Sequence, residues 1–414
     1  MIFLRLLRYL CVFCVQKIPA SHNTRKEASP RIDKDAACPA VPYPRAMRNV
    51  ELSYGFAARR QDGWVRNALM DLLHAVQEQG SISGAAKELG LSYRHVWGEL
   101  RRWEAELAHP LIVWEKGQRA KLAPFGEKLL WAERQAQARL SPQIEALHAE
   151  LERAFAVAFD DAALVLTLFA SHDDGLSLLR GFAVAQAQLH LDVRFCGSVD
   201  AIAALNAGRC TLAGFHSSQQ PGLGSHTQHA YQPLLQPGRH KLIGFAERSQ
   251  GLMVAPGNPL ALASLSDVAR RRARFVNRPA GSGTRLLCEE LLAREALDPA
   301  LVSGFGREEP SHAAVAQAVA SGSADAGLGI EAAARARGLD FVPLLHEHYY
   351  LVCLKEALDA PPIATLRRLL QDARWQRELA ALPGYAPWRS GEVLSLKTEL
   401  PWWNLPPKKA RRKA

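Results

Sequence analysis

Long apolar runs are absent from this sequence. The most apolar segment is MIFLRLLRYLCVFCV at the start, but Arg5 and Arg8 interrupt it and the apolar stretch after Arg8 is short. A membrane-spanning helix needs about 20 apolar residues, and a secretory signal peptide would end at a small-x-small cleavage site, which is missing here. We therefore expect a soluble, cytoplasmic protein with no membrane partner.

Paired cysteines are also scarce. The seven cysteines are scattered along the chain, and Cys11 and Cys14 form the only close pair. That pair has no second pair at zinc-ribbon spacing and no βαβ context for redox chemistry. An odd, scattered set suits a reducing compartment better than a disulfide scaffold. The sequence therefore predicts no metal site and no cofactor.

The basic surplus is confined to the two ends. The net charge is +10, yet the first 60 residues hold 11 Lys/Arg against 4 Asp/Glu, and the last seven hold five Lys/Arg and no acid. The chain between them has a net charge of −2, so the basic balance says nothing about the folded domains. Residues 1–60 lack periodicity, which predicts a disordered extension or a true start at Met47. Residues 404–414 are predicted to form a basic tail.

Catalytic signatures are missing as well. The segment GSGTRL, residues 281–286, lacks the Gly-Lys-Ser/Thr ending of a phosphate-binding loop and the final glycine of a dinucleotide fingerprint. Ser171, His172 and Asp173 are adjacent in sequence, so they cannot easily line up in a catalytic relay. The sequence predicts no catalytic residue, and we expect no enzyme.

Three helices are predicted in the first folded module. VRNALMDLLHAVQEQG places its leucines on one helical face and ends at Gly80. SISGAAKELG follows as a second helix, with Ser81 or Ser83 as its N-cap. LSYRHVWGELRRWEAEL opens with Ser92 as N-cap and continues for about four turns. Two helices joined by a short Gly-x-Ser turn are typical of the helix-turn-helix arrangement.

The third helix and the segment after it carry residues suited to DNA contact. The N-terminal residues of a recognition helix reach base edges in the major groove, and basic residues further along contact phosphates. PLIVWEKGQRAKLAP is predicted to form a hairpin wing around Lys116–Gln118, with basic residues on it. The predicted DNA-contacting residues are Ser92, Tyr93, Arg94, His95, Arg101, Arg102, Arg119 and Lys121.

This module, from about Leu69 to Glu150, resembles the winged helix of the LysR-type and molybdate-responsive (ModE-type) regulators. GSISGAAKELGLSYRHVWGELRRWEAEL and GQRAKLAPFGEKLL carry the resemblance, and SYRHVW is closer to the molybdate-responsive branch. In that family the long helix after the wing pairs two protomers. The resemblance thus implies a homodimer on a roughly palindromic double-stranded DNA site. Residues 125–155 are helical in pattern, and Pro142 predicts a break between two helices.

After Asp160 the pattern changes to alternating strands and helices. ALVLTLFA, LDVRFCG, TLAGF, ARFVNR, LVSGFG, ADAGLGI and FVPLLHEHYYLVCL are predicted strands. Such alternation predicts parallel sheets covered by helices, with ligand bound between two lobes at the carboxyl ends of strands. The predicted fold class is α/β with an all-α winged-helix N-terminal module. We expect residues 61–124 to form the winged helix, 125–160 the linker and dimerisation helices, and 161–403 the two-lobed ligand domain.

Four of the predicted helices start with the same chemistry. Each start offers a hydroxyl and free backbone N–H groups, where the helix dipole also favours an anion. Together they would form a cage of neutral donors suited to a tetrahedral oxyanion, although serine is also a common N-cap by itself. The four starts are Ser171-His172-Asp173, Gly197-Ser198, Gly281-Ser282-Gly283-Thr284 and Ser311-His312.

This second half, from about Leu164 to Trp402, resembles the periplasmic-binding-protein superfamily, and in particular its molybdate-binding branch. SHDDGLSLL, AGFH, NRPAGSGTRLL and SHAAVAQAVASGSADAGLGI carry the resemblance. Asp200 departs from the small residues expected after Ser198, and its carboxylate would repel an anion unless it points away. The resemblance implies oxyanion binding by Ser171, Ser198, Ser282, Gly283, Thr284 and Ser311, with Arg278 and Arg285 offsetting the charge.

Three function classes remain open. The first is a one-component transcription regulator whose ligand lobes sense an oxyanion such as molybdate or tungstate. The second is a LysR-type regulator of the same build that senses a small organic metabolite, whose carboxylate would meet Arg278. The third is a molybdenum-cofactor biosynthesis or molybdate-binding protein that uses its winged helix only for dimerisation. We expect the first, with ligand closing the lobes and shifting the spacing of the recognition helices.

Overall fold

The computed structural model describes residues 67–113, 119–159, 163–219 and 221–403. All of them belong to one structural unit, Phe56–Ala414. The predictions for residues 1–60, for the wing tip Lys116–Gln118 and for the tail 404–414 lie outside the described residues. Across the described ranges, no helix is both long enough and apolar enough to cross a membrane.

The N-terminal module consists of three short helices, a two-stranded ribbon and one long helix. Asn67, Ser81 and Ser92 each cap a helix by accepting a hydrogen bond from a first-turn amide, at 3.0 to 3.2 Å, so Ser81 rather than Ser83 is the second cap. Gly80 ends the first helix with a φ of +60°, which glycine adopts without steric cost. The elements are α1 Ala68–Gln79, α2 Ile82–Glu88, α3 Tyr93–Leu107, β1 Ile112–Val113, β2 Lys121–Leu122 and α4 Pro124–Phe159.

A small apolar core fixes the orientation of α3. Leu73, Val96 and Leu100 are fully buried, and the small side chains of Ala85 and Ala86 allow α2 to approach closely. Each buried leucine stabilises such a core by about 1.5–3 kcal/mol. Because one face of α3 is held in this core, its opposite face is left to solvent.

The long helix α4, which we call the linker helix, is continuous, so the predicted break at Pro142 is wrong. Proline lacks the N–H that would bond to the carbonyl of Ala138, four residues earlier. In this helix the Ala138 carbonyl instead accepts a hydrogen bond from Ser311 Oγ at 3.1 Å. A side chain of the ligand domain thus replaces the donor that Pro142 removes, and the helix continues.

A nine-stranded sheet organises the ligand domain, in the order β4-β3-β5-β9-β6-β8-β7, with β10 and β11 also pairing with β6. β3 pairs in parallel with β4 and β5, and β7 with β8. The two longest strands, β6 and β9, run antiparallel to their neighbours, so the prediction of parallel sheets is wrong for the centre. The strands are β3 Leu164–Ala170, β4 Leu189–Phe195, β5 Leu212–Ser218, β6 His240–Val254, β7 Phe275–Val276, β8 Ala326–Ile330, β9 Asp340–Leu354, β10 Tyr385–Pro387 and β11 Val393–Leu394.

One predicted strand is wrong. The LVSGFG segment forms turns after a short 3-10 helix, Pro299–Leu301. Gly304 adopts a φ of +86° there, and a side chain on it would collide with the carbonyl of Phe275. The left-handed turn interrupts the extended backbone that a strand requires.

The two lobes are joined by β6 and β9. In the first lobe β9 pairs with β5 through residues 347–352, and in the second lobe β6 pairs with β8 through residues 250–254. The first lobe contains β3, β4, α5 and α6, and the second contains β7, α9 and α10. The helices are α5 Asp174–Ala187, α6 Ser198–Asn206, α7 His226–Tyr231, α8 Leu265–Arg270, α9 Gly283–Arg294, α10 His312–Ala320, α11 Glu331–Arg335, α12 Pro361–Gln371, α13 Ala373–Ala380 and α14 Leu396–Glu399.

Candidate functional site

The predicted DNA-contacting residues are exposed on the N-terminal module. The first turn of α3 points to solvent, and Tyr93 is 51% exposed although it is a large aromatic residue. Ser92, Tyr93, Arg94, His95, Arg101, Arg102, Arg119 and Lys121 are all exposed. The structure thus leaves each of them accessible, and their contacts with DNA stay a prediction.

Two of these arginines are paired within the helix. Arg101 bonds to Glu104 at 3.1 Å and Arg102 to Glu99 at 2.6 Å, with both guanidinium groups about 60% exposed. Exposed ion pairs of this kind contribute about 0–1 kcal/mol. A DNA phosphate could therefore replace either glutamate at little cost.

In the ligand domain, the centre of the sheet is polar and fully buried where the two lobes meet. Side chains directly opposite each other on antiparallel strands share a face, and His216 lies opposite Tyr349 while Glu347 lies opposite both Ser218 and Arg248. Gln250 follows on the same face of β6. We call this set the central polar cluster: His216, Ser218, Arg248, Gln250, Glu347 and Tyr349, all 5% exposed or less.

The N-termini of α6 and α9 close over this cluster. A side chain on Gly283 would lie 3.1 Å from His216 Cβ and 3.3 Å from Ser198 Oγ, and one on Gly197 would lie 2.9 Å from the Gly281 carbonyl oxygen. At Gly197 a side chain would collide with backbone, and at Gly283 it would fit only if His216 or Ser198 shifted by a few tenths of an ångström. The predicted residues Ser198, Gly283 and Thr284 are therefore brought together above His216.

Three of the five hydroxyls predicted to bind ligand already donate hydrogen bonds to backbone carbonyls. Ser171 donates to the Cys196 carbonyl at 3.2 Å, Ser282 to the Pro279 carbonyl at 2.7 Å, and Ser311 to the Ala138 carbonyl. A hydroxyl has one proton to donate, so these three have none left for a ligand in this arrangement.

Ser198 and Thr284 are placed differently. Thr284 Oγ1 accepts a hydrogen bond from Gln250 Nε2 at 3.2 Å, which leaves its own proton available. Ser198 is fully buried beside the Tyr231 hydroxyl, whereas Asp200, two residues along α6, is exposed. The carboxylate that argued against Ser198 thus points away from the cluster.

Arg248 ties the cluster to the start of α5. Its guanidinium is hydrogen-bonded to both Asp173 and Glu347, and all three side chains are at most 1% exposed. Asp173 also caps α5 by accepting from the Leu176 amide at 3.1 Å, and it accepts from the Tyr385 hydroxyl at 2.6 Å. Two carboxylates therefore already neutralise this arginine.

Arg278 has no such compensation. It is 3% exposed, and within the described part of the chain its Nε and Nη1 atoms have no hydrogen-bond partner. Burial, followed by the charge of Arg248, lowers the pKa of Arg278 to about 9. Burying an unpaired charge costs free energy, and an anion bound beside this guanidinium would lower that cost.

Two buried histidines accompany it. Both ring nitrogens of His216 and Nδ1 of His312 lack partners among the described residues. Burial and the charges of Arg248 and Arg278 hold the pKa of each imidazole well below its usual value. Each ring is thus neutral, with one nitrogen able to donate and one able to accept. No three His, Cys, Asp or Glu side chains are grouped as metal ligands in the described ranges.

Sequence reasoning missed most of the central polar cluster. His216 lies in the quoted motif AGFH, and Glu347 and Tyr349 lie in the predicted strand FVPLLHEHYYLVCL, but none of the three was assigned to the ligand site. The available signal was a run of four polar residues, Glu247 to Gln250, inside an otherwise apolar segment, in which Arg248 and Gln250 are two positions apart and so share a face if the segment is a strand. Strand register, which the sequence does not state, is what brings these residues together.

The linker helix is fastened to both lobes. Glu309 of the second lobe accepts from Arg139 Nε and Nη2 at 2.9 and 2.7 Å. Glu145 on the helix bonds to His172 at 3.0 Å and accepts from Ser177 at 2.7 Å, both in the first lobe. Pro142 lies between the two attachments.

Two family models match the chain. Residues 68–127 match the bacterial regulatory helix-turn-helix protein, lysR family, and residues 179–371 match the PBP superfamily domain. The first match covers α1 to α3 and the ribbon, and the second covers the central polar cluster.

Individual proteins give narrower matches. The uncharacterized protein YvgK of Bacillus subtilis is 31% identical over 201 residues, which is 49% of this chain and 64% of that protein. The molybdenum-pterin-binding protein MopB of Rhodobacter capsulatus is 42% identical over 65 residues, 15% of this chain and 24% of that one. A cysteine mutant of Corynebacterium glutamicum OxyR with bound H2O2 aligns over 76% of this chain and 94% of its own, with 18% identity and a TM-score of 0.40.

Proposed function

We propose that this chain, a LysR-type transcription regulator with a PBP-like ligand-binding domain, senses a tetrahedral oxyanion and changes its DNA affinity in response. The observation that carries the proposal is Arg278, a buried guanidinium whose Nε and Nη1 atoms have no partner among the described residues. The neutral imidazoles of His216 and His312 lie close enough to interact with its charge, and among the described residues it has no carboxylate partner. Such an arrangement favours an anion over a cation. The proposed role is regulatory and not catalytic.

Molybdate or tungstate is the anion we propose. The candidate donors are the hydroxyls of Ser198 and Thr284 and the amides of Gly283 and Thr284, which have no carbonyl partner within α9. A tetrahedral dianion has four oxygens, each of which can accept hydrogen bonds from donors of this kind. The matches of the sequence to molybdate-binding patterns and of 65 residues to MopB support this choice over other oxyanions.

The response we propose runs through the linker helix. Ligand bound between the lobes draws them together, and the lobes hold α4 at Arg139 on one side of Pro142 and at Glu145 on the other. Closure therefore bends the helix at Pro142, where the backbone hydrogen bond is missing. In a homodimer paired through this helix, the bend changes the distance between two recognition helices on a roughly palindromic operator.

Titration calorimetry of the full chain with molybdate, tungstate and sulfate tests the proposal. We expect Thr284→Ala to weaken molybdate binding by about tenfold, which corresponds to about 1.4 kcal/mol for one lost hydrogen bond to a charged ligand. Thr227→Ala is the matched control, because Thr227 is a buried threonine at the same position of α7. Equal effects of the two substitutions, or no heat with any of the three anions, would contradict the proposal.

A second candidate ligand is a small organic acid. Two buried acceptors, Glu347 Oε2 and Gln250 Oε1, have no partner among the described residues. A metabolite with a carboxylate for Arg278 and an amino or hydroxyl group for these acceptors would also satisfy the site. Binding of such acids, with no heat from the inorganic anions, would select this candidate.

A further inference from the structure

We infer that Glu347 binds the oxyanion as a protonated acid, so that each bound dianion is accompanied by one proton taken up from solvent. This inference rests on the proposed function, because it concerns the same site. The proton adds to Glu347 Oε2, and the resulting O–H donates to an oxygen of the anion. No covalent bond other than this O–H forms or breaks.

The two carboxylate oxygens of Glu347 differ in their hydrogen bonding. Oε1 accepts hydrogen bonds from Arg248 Nε and from Gln250 Nε2, the latter at 2.9 Å. Oε2 is buried and has no hydrogen-bond partner in the described part of the chain. A buried carboxylate oxygen normally has a donor, so Oε2 is the unfilled position of this side chain.

The unfilled oxygen is close to the proposed anion donors. The amide group of Gln250 bonds to Glu347 on one side and to Thr284 Oγ1 on the other. Ser218, opposite Glu347 on β5, also has an unpartnered buried hydroxyl among the residues that the structure describes. Only the Gln250 side chain therefore separates Glu347 from an anion bound to the Thr284 hydroxyl.

The charges around Glu347 decide its protonation. Arg248 and Asp173 are the charged neighbours, and the hydroxyls of Tyr349 and Tyr231 are also close enough to interact with it. Without ligand, its bonds to Arg248 and Gln250 favour the ionised form. Burial acts in the opposite direction and raises the pKa of Glu347 overall.

A dianion changes this balance. An anion oxygen and an ionised carboxylate oxygen repel each other at hydrogen-bond distance unless a proton lies between them. Hydrogen phosphate would bring such a proton, whereas molybdate is fully ionised at about pH 8 and brings none. For molybdate the proton must come from solvent and reside on the protein.

Calorimetry in two buffers tests the inference directly. Molybdate is titrated into the full chain at about pH 8, once in Tris and once in HEPES, whose heats of ionisation differ. The difference in apparent enthalpy gives the number of protons taken up, which we expect to be about one. The dissociation constant should then rise about tenfold per pH unit as the pH approaches 8 from below, where Arg278, with a pKa of about 9, still keeps its proton.

Two variants assign the proton to a residue. In Glu347→Gln the amide keeps an acceptor for Arg248 and supplies an N–H for the anion, so we expect binding without proton uptake and with little pH dependence up to about pH 8, below the pKa of Arg278. Glu290→Gln is the control, because Glu290 is also buried, at 4% exposed, but bonds to the Thr227 amide of α7 at 3.0 Å. It should keep the uptake of the unmodified chain.

The outcomes separate the two proposals. Molybdate binding without proton uptake overturns the inference about Glu347 and leaves the proposed function standing. Uptake that persists in Glu347→Gln also overturns it. If molybdate, tungstate and sulfate all fail to bind, the proposed function and this inference fail together.

Discussion

Ser311 Oγ donates a hydrogen bond to the carbonyl oxygen of Ala138, 3.1 Å away. The same hydroxyl oxygen accepts from the Ala314 amide at 3.1 Å, so it caps α10 while holding the linker helix. The Ala138 carbonyl is the one left without a donor by Pro142. Ser311 thus connects the second lobe to the linker helix at the position where Pro142 removes a backbone hydrogen bond.

Replacing Pro142 by alanine should reduce the response to ligand. The substituted alanine would supply an N–H that competes with Ser311 for the Ala138 carbonyl, and removing an interior proline favours a straight helix by up to about 3 kcal/mol. We expect molybdate affinity within about twofold of the unmodified chain, but a smaller difference in operator affinity with and without molybdate. Fluorescence anisotropy with labelled operator DNA measures that difference.

Pro361→Ala is the control for this substitution, because Pro361 starts α12, where no backbone donor is lost. It should leave the response unchanged. A full response in a correctly folded Pro142→Ala protein would show that the helix does not transmit lobe closure by bending at this residue.

The N-terminal module was predictable because its signals are local. Caps such as Ser92 and the leucine spacing of α1 act within a few residues, and both are confirmed by the structure. The continuity of α4 was not predictable, because the compensating donor is Ser311, separated from Ala138 by 173 residues. The contact between Glu347 and Arg248 was not predictable either, because it depends on the register of β6 and β9.

The candidate ligand site could be predicted from the sequence only in part. Glycines and hydroxyls at strand-to-helix turns are visible in the sequence, and the structure brings Gly283 close to Ser198, while anion binding by Ser198 and Thr284 stays a prediction. The sequence did not show that Ser171, Ser282 and Ser311 donate to carbonyls of the protein. The carbonyl partners of Ser171 and Ser311 lie far from them in the sequence. The partner of Ser282, the Pro279 carbonyl, is brought close only by the fold of the turn.

Arg278→Met should stabilise the ligand-free protein and abolish anion binding. Replacing a buried charge that has no ion-pair partner among the described residues by an apolar side chain of similar length removes its desolvation cost, and we expect a stabilisation of about 0.5–2 kcal/mol. We expect a higher midpoint of thermal unfolding without molybdate and no further increase when molybdate is added. Arg194→Met, at an arginine that is 52% exposed, is the control and should change neither quantity. A lower midpoint for Arg278→Met would indicate that Arg278 is compensated in solution.

Arg94 and Lys121 should contribute to DNA binding in different ways. Arg94, in the first turn of α3, is placed to contact bases, so Arg94→Ala should cost about 1–3 kcal/mol and relax the sequence preference. Lys121, on β2, is placed to contact a phosphate, so Lys121→Ala should weaken all sequences alike and lower the salt dependence by about one ion. Anisotropy titrations at several salt concentrations, with operator and scrambled DNA, separate these effects. Identical behaviour of the two variants would contradict the assignment.

The attachment of the linker helix to the first lobe should depend on acid pH. Burial opposes ionisation of Glu145, but its hydrogen bonds and charge interaction with His172, together with bonds from Ser177 and Ser141, lower its pKa from 4.5 to about 2. A carboxyl group with a lowered pKa stabilises the folded state above its unfolded pKa, and this contribution is lost as the pH falls through the folded value. The window is therefore between about pH 4.5 and pH 2, and the contribution above it is about 3 kcal/mol.

Urea unfolding of Glu145→Gln across this window measures the contribution. At neutral pH the variant should be less stable than the unmodified chain by up to this amount, and the gap should close as the pH approaches 2. Glu78→Gln, at a glutamate that is 52% exposed on α1, is the control and should follow the unmodified chain throughout. A gap that stays constant from neutral to acid pH would mean that Glu145 stabilises through packing, because only an ionised carboxylate loses its contribution on protonation.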